Sequence, residues 1–96
     1  MVSVTVKFYG LWRDYLGADS LSLDADDVAQ AVAQVEGKFG SQLRAQLQAR
    51  GIQADREIQD YCLLLLSGRN VAKQKLQQVK LRAGDVLHIL PLVAGG

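Results

Sequence analysis

Ninety-six residues are fewer than the roughly 100 to 200 of an average domain, which excludes a two-domain enzyme and leaves room for one modest core. The 49% hydrophobic and 22% charged content matches a soluble globular domain and excludes a disordered or fibrous chain. Eleven Lys and Arg against ten Asp and Glu leave a formal charge of +1, so no global field draws nucleic acid or an anionic membrane.

Val2, Val4, Val6 and Phe8 share one parity and Ser3, Thr5 and Lys7 the other, which predicts a strand over residues 2–9 with one wet face. Gly10 ends it. Residues 11–16 predict a short helical turn closed by Gly17, with Leu11, Trp12, Tyr15 and Leu16 as its packing residues. Alternation returns over 20–24, where Leu21 and Leu23 face the core, and the first two strands pair as an antiparallel hairpin with a long connection.

From Asp24 the period becomes helical: Val28, Ala31, Val32, Val35 and Phe39 form one stripe behind the acidic cap of Asp24, Asp26 and Asp27. Gly37 and Gly40 predict its decay, and Ser41 the cap of a second amphipathic segment carrying Leu43 and Leu47 and stopped by Gly51. Residues 53–59 read as a polar loop. Residues 61–66 are apolar throughout and predict a central strand, followed by a turn over 67–70 and a short return strand opened by Val71. A turn at 83–85 precedes the last strand, Val86 to Leu90, stopped by Pro91 and lying parallel to the first. The expected class is α+β, a single domain over 1–96 with one principal helix across one face of a mixed sheet and a flexible tail over 92–96.

Few residues offer chemistry. One His and one Cys cannot build a zinc site within a chain, since tetrahedral sites need three or four such ligands, and no Gly-rich phosphate loop is present. Cys62 lies in the most apolar run, where burial raises a thiol's pKa and makes it inert. His88 takes the face opposite Leu87 and Ile89, without a carboxylate or nucleophile beside it in sequence, and reads as a surface or partner contact. Lys73, Lys75, Lys80 and Arg82 lack interleaved aromatics and read as a solvated surface, as do Asp55, Arg56 and Glu57. The single Cys closes no disulfide within the chain, the opening residues alternate like a strand instead of a signal segment, and no apolar run approaches the roughly 20 residues of a membrane span. A cytoplasmic protein without membrane or nucleic-acid partner is expected.

What remains is the ending Leu92, Val93, Ala94, Gly95 and Gly96. Extended from Pro91, it reaches roughly 20 Å at about 3.3 to 3.6 Å per residue, and its small residues suit a narrow channel.

The opening VKFYGLWRDYLG, the helix behind an acidic cap, LLLSGRNV and above all the closing GDVLHILP with its AGG end resemble the small subunit of molybdopterin synthase, the MoaD family of ubiquitin-like β-grasp sulfur carriers. Two features depart from the pattern: many members have Pro-Pro where Pro91 and Leu92 stand, and residues 41–59 form a longer segment than in compact thiamine-pathway carriers of the ThiS type. The resemblance implies a β-grasp fold and a carrier with no active site of its own. In such a carrier the Gly96 carboxylate is adenylated by an E1-like adenylyltransferase of the MoeB type, converted to a thiocarboxylate, and inserted into the MoaE-type large subunit to build the dithiolene of molybdopterin. ATP is used by the activating partner and the chain binds no cofactor; the synthase is a heterotetramer. Gly95, Ala94 and Val93 would thread the channel, and Leu63, Leu65, His88, Leu90 and Leu92, on the sheet face opposite the helix and at the tail root, would meet the partners. Conjugation to lysines of target proteins, sulfur supply to thiamine or cysteine synthesis, and simple partner binding are the alternatives that the same residues leave open.

Overall fold

The computed structural model describes residues 1–92; the tail positions Val93, Ala94, Gly95 and Gly96 lie outside the described residues. Five strands form one mixed sheet: β1 (Val2–Phe8), β2 (Ser20–Ala25), β3 (Cys62–Leu66), β4 (Arg69–Asn70) and β5 (Val86–Pro91). Their spatial order is β2-β1-β5-β3-β4. β1 and β2 pair antiparallel from Val2↔Ala25 to Lys7↔Ser20, and β5 lies parallel to β1 from Thr5↔Val86 to Phe8↔Ile89. β3 runs antiparallel to β5, from Cys62↔Pro91 to Leu66↔Leu87.

The central strand is therefore β5. β3, read as a central strand and not an edge, lies as expected between two neighbours, β5 and β4, although β4 pairs only with its last two residues. A run apolar at every position predicts cover on both faces; here Cys62, Leu64 and Leu66 are buried, while Leu63 and Leu65 are only half-buried. The return strand also begins two residues earlier than expected. Ser67 (φ 52°) and Gly68 (φ 75°) both take left-handed backbone, the condition for a two-residue turn whose twist matches its strands. Arg69 thus re-enters the sheet at once, and Val71, after donating its N–H to the Leu64 carbonyl at 2.8 Å, turns into the core.

Helices α1 (Leu11–Leu16), α2 (Val28–Val35) and α3 (Ser41–Ala49) cover one sheet face. In α1, Trp12 and Leu16 are buried as expected, whereas Leu11 is 47% exposed: on a six-residue helix it points away from the sheet. Asp27 caps α2 by accepting the Gln30 N–H at 2.8 Å, and the Gln30 side chain accepts from Asp26 N–H at 2.7 Å, a reciprocal cap of the kind that satisfies orphan donors.

The predicted break at Gly37 and Gly40 does not occur. Residues Glu36–Gly40 form a π turn that joins α2 to α3 without leaving helical backbone, and Ser41 caps nothing. The physical reason is Glu36. Its carboxylate folds over Gly40, where a Cβ would overlap it, accepts both Nη1–H and Nη2–H of Arg44 at 2.8 Å, and accepts the Ile58 N–H at 2.7 Å. Glycine at position 40 thus makes room for a packed carboxylate and does not terminate the helix.

This cluster anchors the segment read as a polar loop. Arg44 also donates to the Arg56 carbonyl, Gln48 to the Ala54 carbonyl, and Ala54 and Ile58 are buried. Ile58–Tyr61 winds into a 3₁₀ turn, so Tyr61 leaves the strand parity that would have placed it on the open face. It is buried, and its hydroxyl accepts the Arg56 N–H at 2.7 Å.

The core lies between helices and sheet: Val4, Val6, Phe8, Leu64, Leu87 and Ile89 from the strands meet Val28, Val32, Val35, Phe39, Leu43 and Leu47 from the helices. Phe8 and Phe39 meet edge to face at 5.4 Å. A β-hairpin, a helix laid across it and a parallel return strand at the centre constitute the β-grasp arrangement.

Candidate functional site

The open face of the sheet is divided by chemistry. Its β1 half carries Ser3, Thr5 and Lys7, which alternate with the buried valines. Its β3–β5 half carries Leu63, Leu65, His88 and Leu90, all half-buried. The register sets Leu63 beside Leu90 and Leu65 beside His88, so the four side chains form two adjacent cross-strand pairs. The predicted partner-facing residues of the sheet are thus brought together on one face.

Tyr9 completes the patch, and the sequence reading did not place it there. Its hydroxyl lies 2.6 Å from His88 Nδ1, with ring centroids 5.4 Å apart. Tyr9, Leu65, Gly68, His88 and Leu90 line a shallow, largely apolar depression of about 230 Å³. Strand parity put Tyr9 on the Lys7 side, a usable signal, but its meeting with His88 depends on the parallel pairing of β1 with β5, in which Tyr9 donates its N–H to the Ile89 carbonyl at 3.1 Å.

The root of the tail is fixed beside this patch. Pro91, expected to stop the sheet, is instead its last paired residue, opposite Cys62, and the Leu92 N–H reaches the Tyr61 carbonyl at 3.1 Å. Proline is tolerated at such a strand end because only its missing N–H would fail the ladder. Gly10, at φ 58° and ψ −133°, brings the β1–α1 turn against the Pro91 ring; a Cβ there would sit 3.3 Å from Pro91 Cγ as well as straining the backbone. Leu92 is half exposed. The predicted threading residues Val93, Ala94 and Gly95 and the predicted reacting residue Gly96 fall beyond the described residues.

Cys62 does not belong to this surface. Its side chain is 1% exposed on the covered face, and burial pushes the thiol up to about 12. Among the described residues, no group of three His, Cys, Asp or Glu side chains is disposed to hold a metal ion, and no helix is long and apolar enough to cross a membrane.

Solved structures identify the class. The chain is similar to SAMP1 of Haloferax volcanii at 26% identity and TM-score 0.66, over 98% of this chain and 99% of that one. It is similar to a putative molybdopterin converting factor subunit 1 of Pyrococcus furiosus at 16% identity and TM-score 0.63, over 97% and 100%. Subunit 1 in the complex of subunits 1 and 2 of the molybdopterin-converting factor of Helicobacter pylori matches at 25% identity and TM-score 0.52, over 99% and 100%. No family model and no curated protein matches the sequence. The fold is that of a ubiquitin-like β-grasp protein, and its open face carries a shallow, largely apolar depression lined by Tyr9, Leu65, Gly68, His88 and Leu90. Within that class it resembles both MoaD-like converting-factor subunits and SAMP ubiquitin-like proteins.

Proposed function

We propose that this chain is a sulfur carrier whose reactive group is the carboxylate of Gly96, and that it serves molybdopterin dithiolene formation as the small subunit of a heterotetrameric synthase. The observation that supports the reading most is the coincidence of an apolar open-face patch with a tail root held in register to Leu92, next to a sequence ending in Ala94, Gly95 and Gly96. A free carboxylate is an anion at neutral pH and a poor electrophile. Activation therefore precedes sulfur transfer: the carboxylate oxygen attacks the α-phosphorus of ATP on a MoeB-type enzyme and pyrophosphate leaves. A donor at the sulfide level, HS⁻, then attacks the acyl carbon and expels AMP with loss of its proton, giving the thiocarboxylate. A MoaE-type large subunit takes the sulfur in its own active site, and the chain itself binds no cofactor and works in the cytoplasm. Association of subunit 1 with subunit 2 in the Helicobacter pylori complex supports the partner's type.

Conjugation to proteins is the second reading, favoured by the likeness to SAMP1, a small archaeal modifier protein. Intact mass of protein recovered from its native host separates the two: exchange of oxygen for sulfur at the terminal glycine marks a carrier, and branched lysine adducts mark a modifier. Deleting Gly96 should abolish ATP-dependent adenylation by the activating enzyme with thermal stability near wild type. Sulfur transfer by the shortened chain would refute the role of Gly96.

A further inference from the structure

The basic residues of the 73–82 segment, solvated surface on the sequence reading, separate into two sets in space. Lys80 pairs with Asp27 at 3.9 Å and Lys73 donates to the Asp60 carbonyl at 3.4 Å. Lys75 and Arg82 instead join Arg69, from the β3–β4 hairpin, around a groove of about 790 Å³ floored by Leu66, Val71 and Val79. All three cations are exposed, and among the described residues none of their side chains forms an ion pair or a hydrogen bond. Among the described residues no carboxylate lines the groove; Asp85, beside Arg82, accepts the Arg82 backbone N–H at 2.8 Å. On a chain of net charge +1, three unpaired cations in one concavity make a local positive field over an apolar floor.

The sheet edge supplies the third component. β4 is the outermost strand, with Leu66↔Arg69 and the Val71 N–H to Leu64 carbonyl bond flanking the Leu65↔Asn70 pair. Alternation of an antiparallel ladder therefore turns the Asn70 backbone N–H and C=O away from β3, toward an edge that no strand of the described residues covers. We propose that this groove binds an extended segment of a partner protein in which acidic and apolar side chains alternate. Its backbone adds to the sheet at Asn70, its apolar side chains occupy the floor, and its carboxylates meet Arg69, Lys75 and Arg82. A small anion would leave the apolar floor unused, and the groove offers no aromatic ring for a nucleic-acid base. Leu66 faces the start of β5 and Cys62 its end at Pro91, so the groove lies a strand's length, about 13 Å at 3.3 Å per residue, from the tail root. Both ends can be engaged at once.

The test titrates the ¹⁵N-labelled full chain with a capped peptide of sequence Asp-Leu-Glu-Val-Asp-Leu-Glu, and with its analogue carrying lysine for every acid. Saturable amide shifts centred on Asn70, Val71, Lys75 and Arg82 are expected with the acidic peptide, weakening with added NaCl and by at least about tenfold in the Arg69→Glu/Arg82→Glu variant. Unshifted β1 and β5 amides in that variant establish its fold; should it fail to fold, Lys75→Gln is expected to show a smaller loss in the same direction. Absence of saturable shifts, shifts centred elsewhere, equal binding of the lysine analogue, unchanged affinity in the variants, or tighter binding of a single-stranded oligonucleotide at these amides would each overturn the proposal.

Discussion

A thiol at position 62 is two bonds from a strand backbone that pairs with Pro91, close to the root of the tail, yet it is excluded from the chemistry by its direction. Strand parity turns it toward Trp12 and away from the open face, and loss of hydration keeps it protonated; the Trp12 indole and the Lys73 charge oppose that effect only weakly. Native protein is therefore expected to resist iodoacetamide at pH 8 while unfolded protein reacts, a difference read by mass spectrometry. Cys62→Ala should cost about 1 kcal/mol in chemical denaturation, through a small cavity, and leave thiocarboxylate formation intact. A folded Cys62→Ala protein unable to accept sulfur would restore a persulfide role for the thiol. Residue-level placement of this kind was legible in the sequence because alternation alone separates Cys62, Leu64 and Leu66 from Leu63 and Leu65. Tyr61 was misplaced by the same rule because a 3₁₀ turn suspends it one residue before the strand begins.

At the scale of elements, periodicity located β1, β2, β3, β5 and the start of the long helical run, placed the short return strand β4 two residues late, and failed where a side chain overrode a backbone preference. Gly37 and Gly40 carry the usual sign of a helix end, and no local rule reveals that Glu36, Arg44 and the Ile58 N–H, spread over 22 residues, converge on one carboxylate. Two experiments probe that convergence. The Arg44 hydrogen bonds, partly opposed by burial and reinforced by the Ile58 N–H, hold the Glu36 carboxyl below its ordinary value. A folded-state value below the unfolded one means that the unfolded chain binds the extra proton, so the stabilisation is complete above about pH 4.5 and disappears as pH falls through the folded value. The stability difference between wild type and Glu36→Gln should therefore be constant from neutral pH to about 5 and shrink on further acidification. Gly40→Ala supplies the second test. Alanine at a helical φ of −58° should stabilise by about 0.5 to 1 kcal/mol on propensity, yet here its Cβ displaces the Glu36 carboxylate. A net loss on the order of 1 to 2 kcal/mol is expected in the wild-type background, from weakened charge-assisted hydrogen bonds. In a Glu36→Ala background the same change should become stabilising. Equal effects in both backgrounds, measured by urea titration, would show that Gly40 and Glu36 are not coupled.

For the whole molecule, the decisive asymmetry is that one long helical layer covers a sheet whose two strands nearest the tail are apolar on both faces. That excess was visible in the sequence as the unbroken run over 62–66, but its location was not: only the order β2-β1-β5-β3-β4 concentrates Leu63, Leu65, His88, Leu90 and Tyr9 at one end of the open face, where the tail departs. An apolar patch of this kind beside a departing segment fits burial against a protein. The Leu65 and Leu90 side chains are half-buried and point away from the core, so Leu65→Asp or Leu90→Asp leaves the new carboxylate hydrated in the free protein and should cost little stability. In a complex the same charge would be desolvated without a partner, a large penalty that no rim contact offsets. Titration calorimetry of each folded variant against a MoaE-type large subunit and a MoeB-type activating enzyme should show affinity reduced by at least about a hundredfold, the equivalent of some 2.7 kcal/mol. Thr5→Asp, on the hydrophilic β1 half of the same face, serves as the control and should bind as wild type does. Unchanged affinity in the leucine variants would move the interface off the open face, and loss of folding would mean that Leu65 and Leu90 support the core instead of a partner.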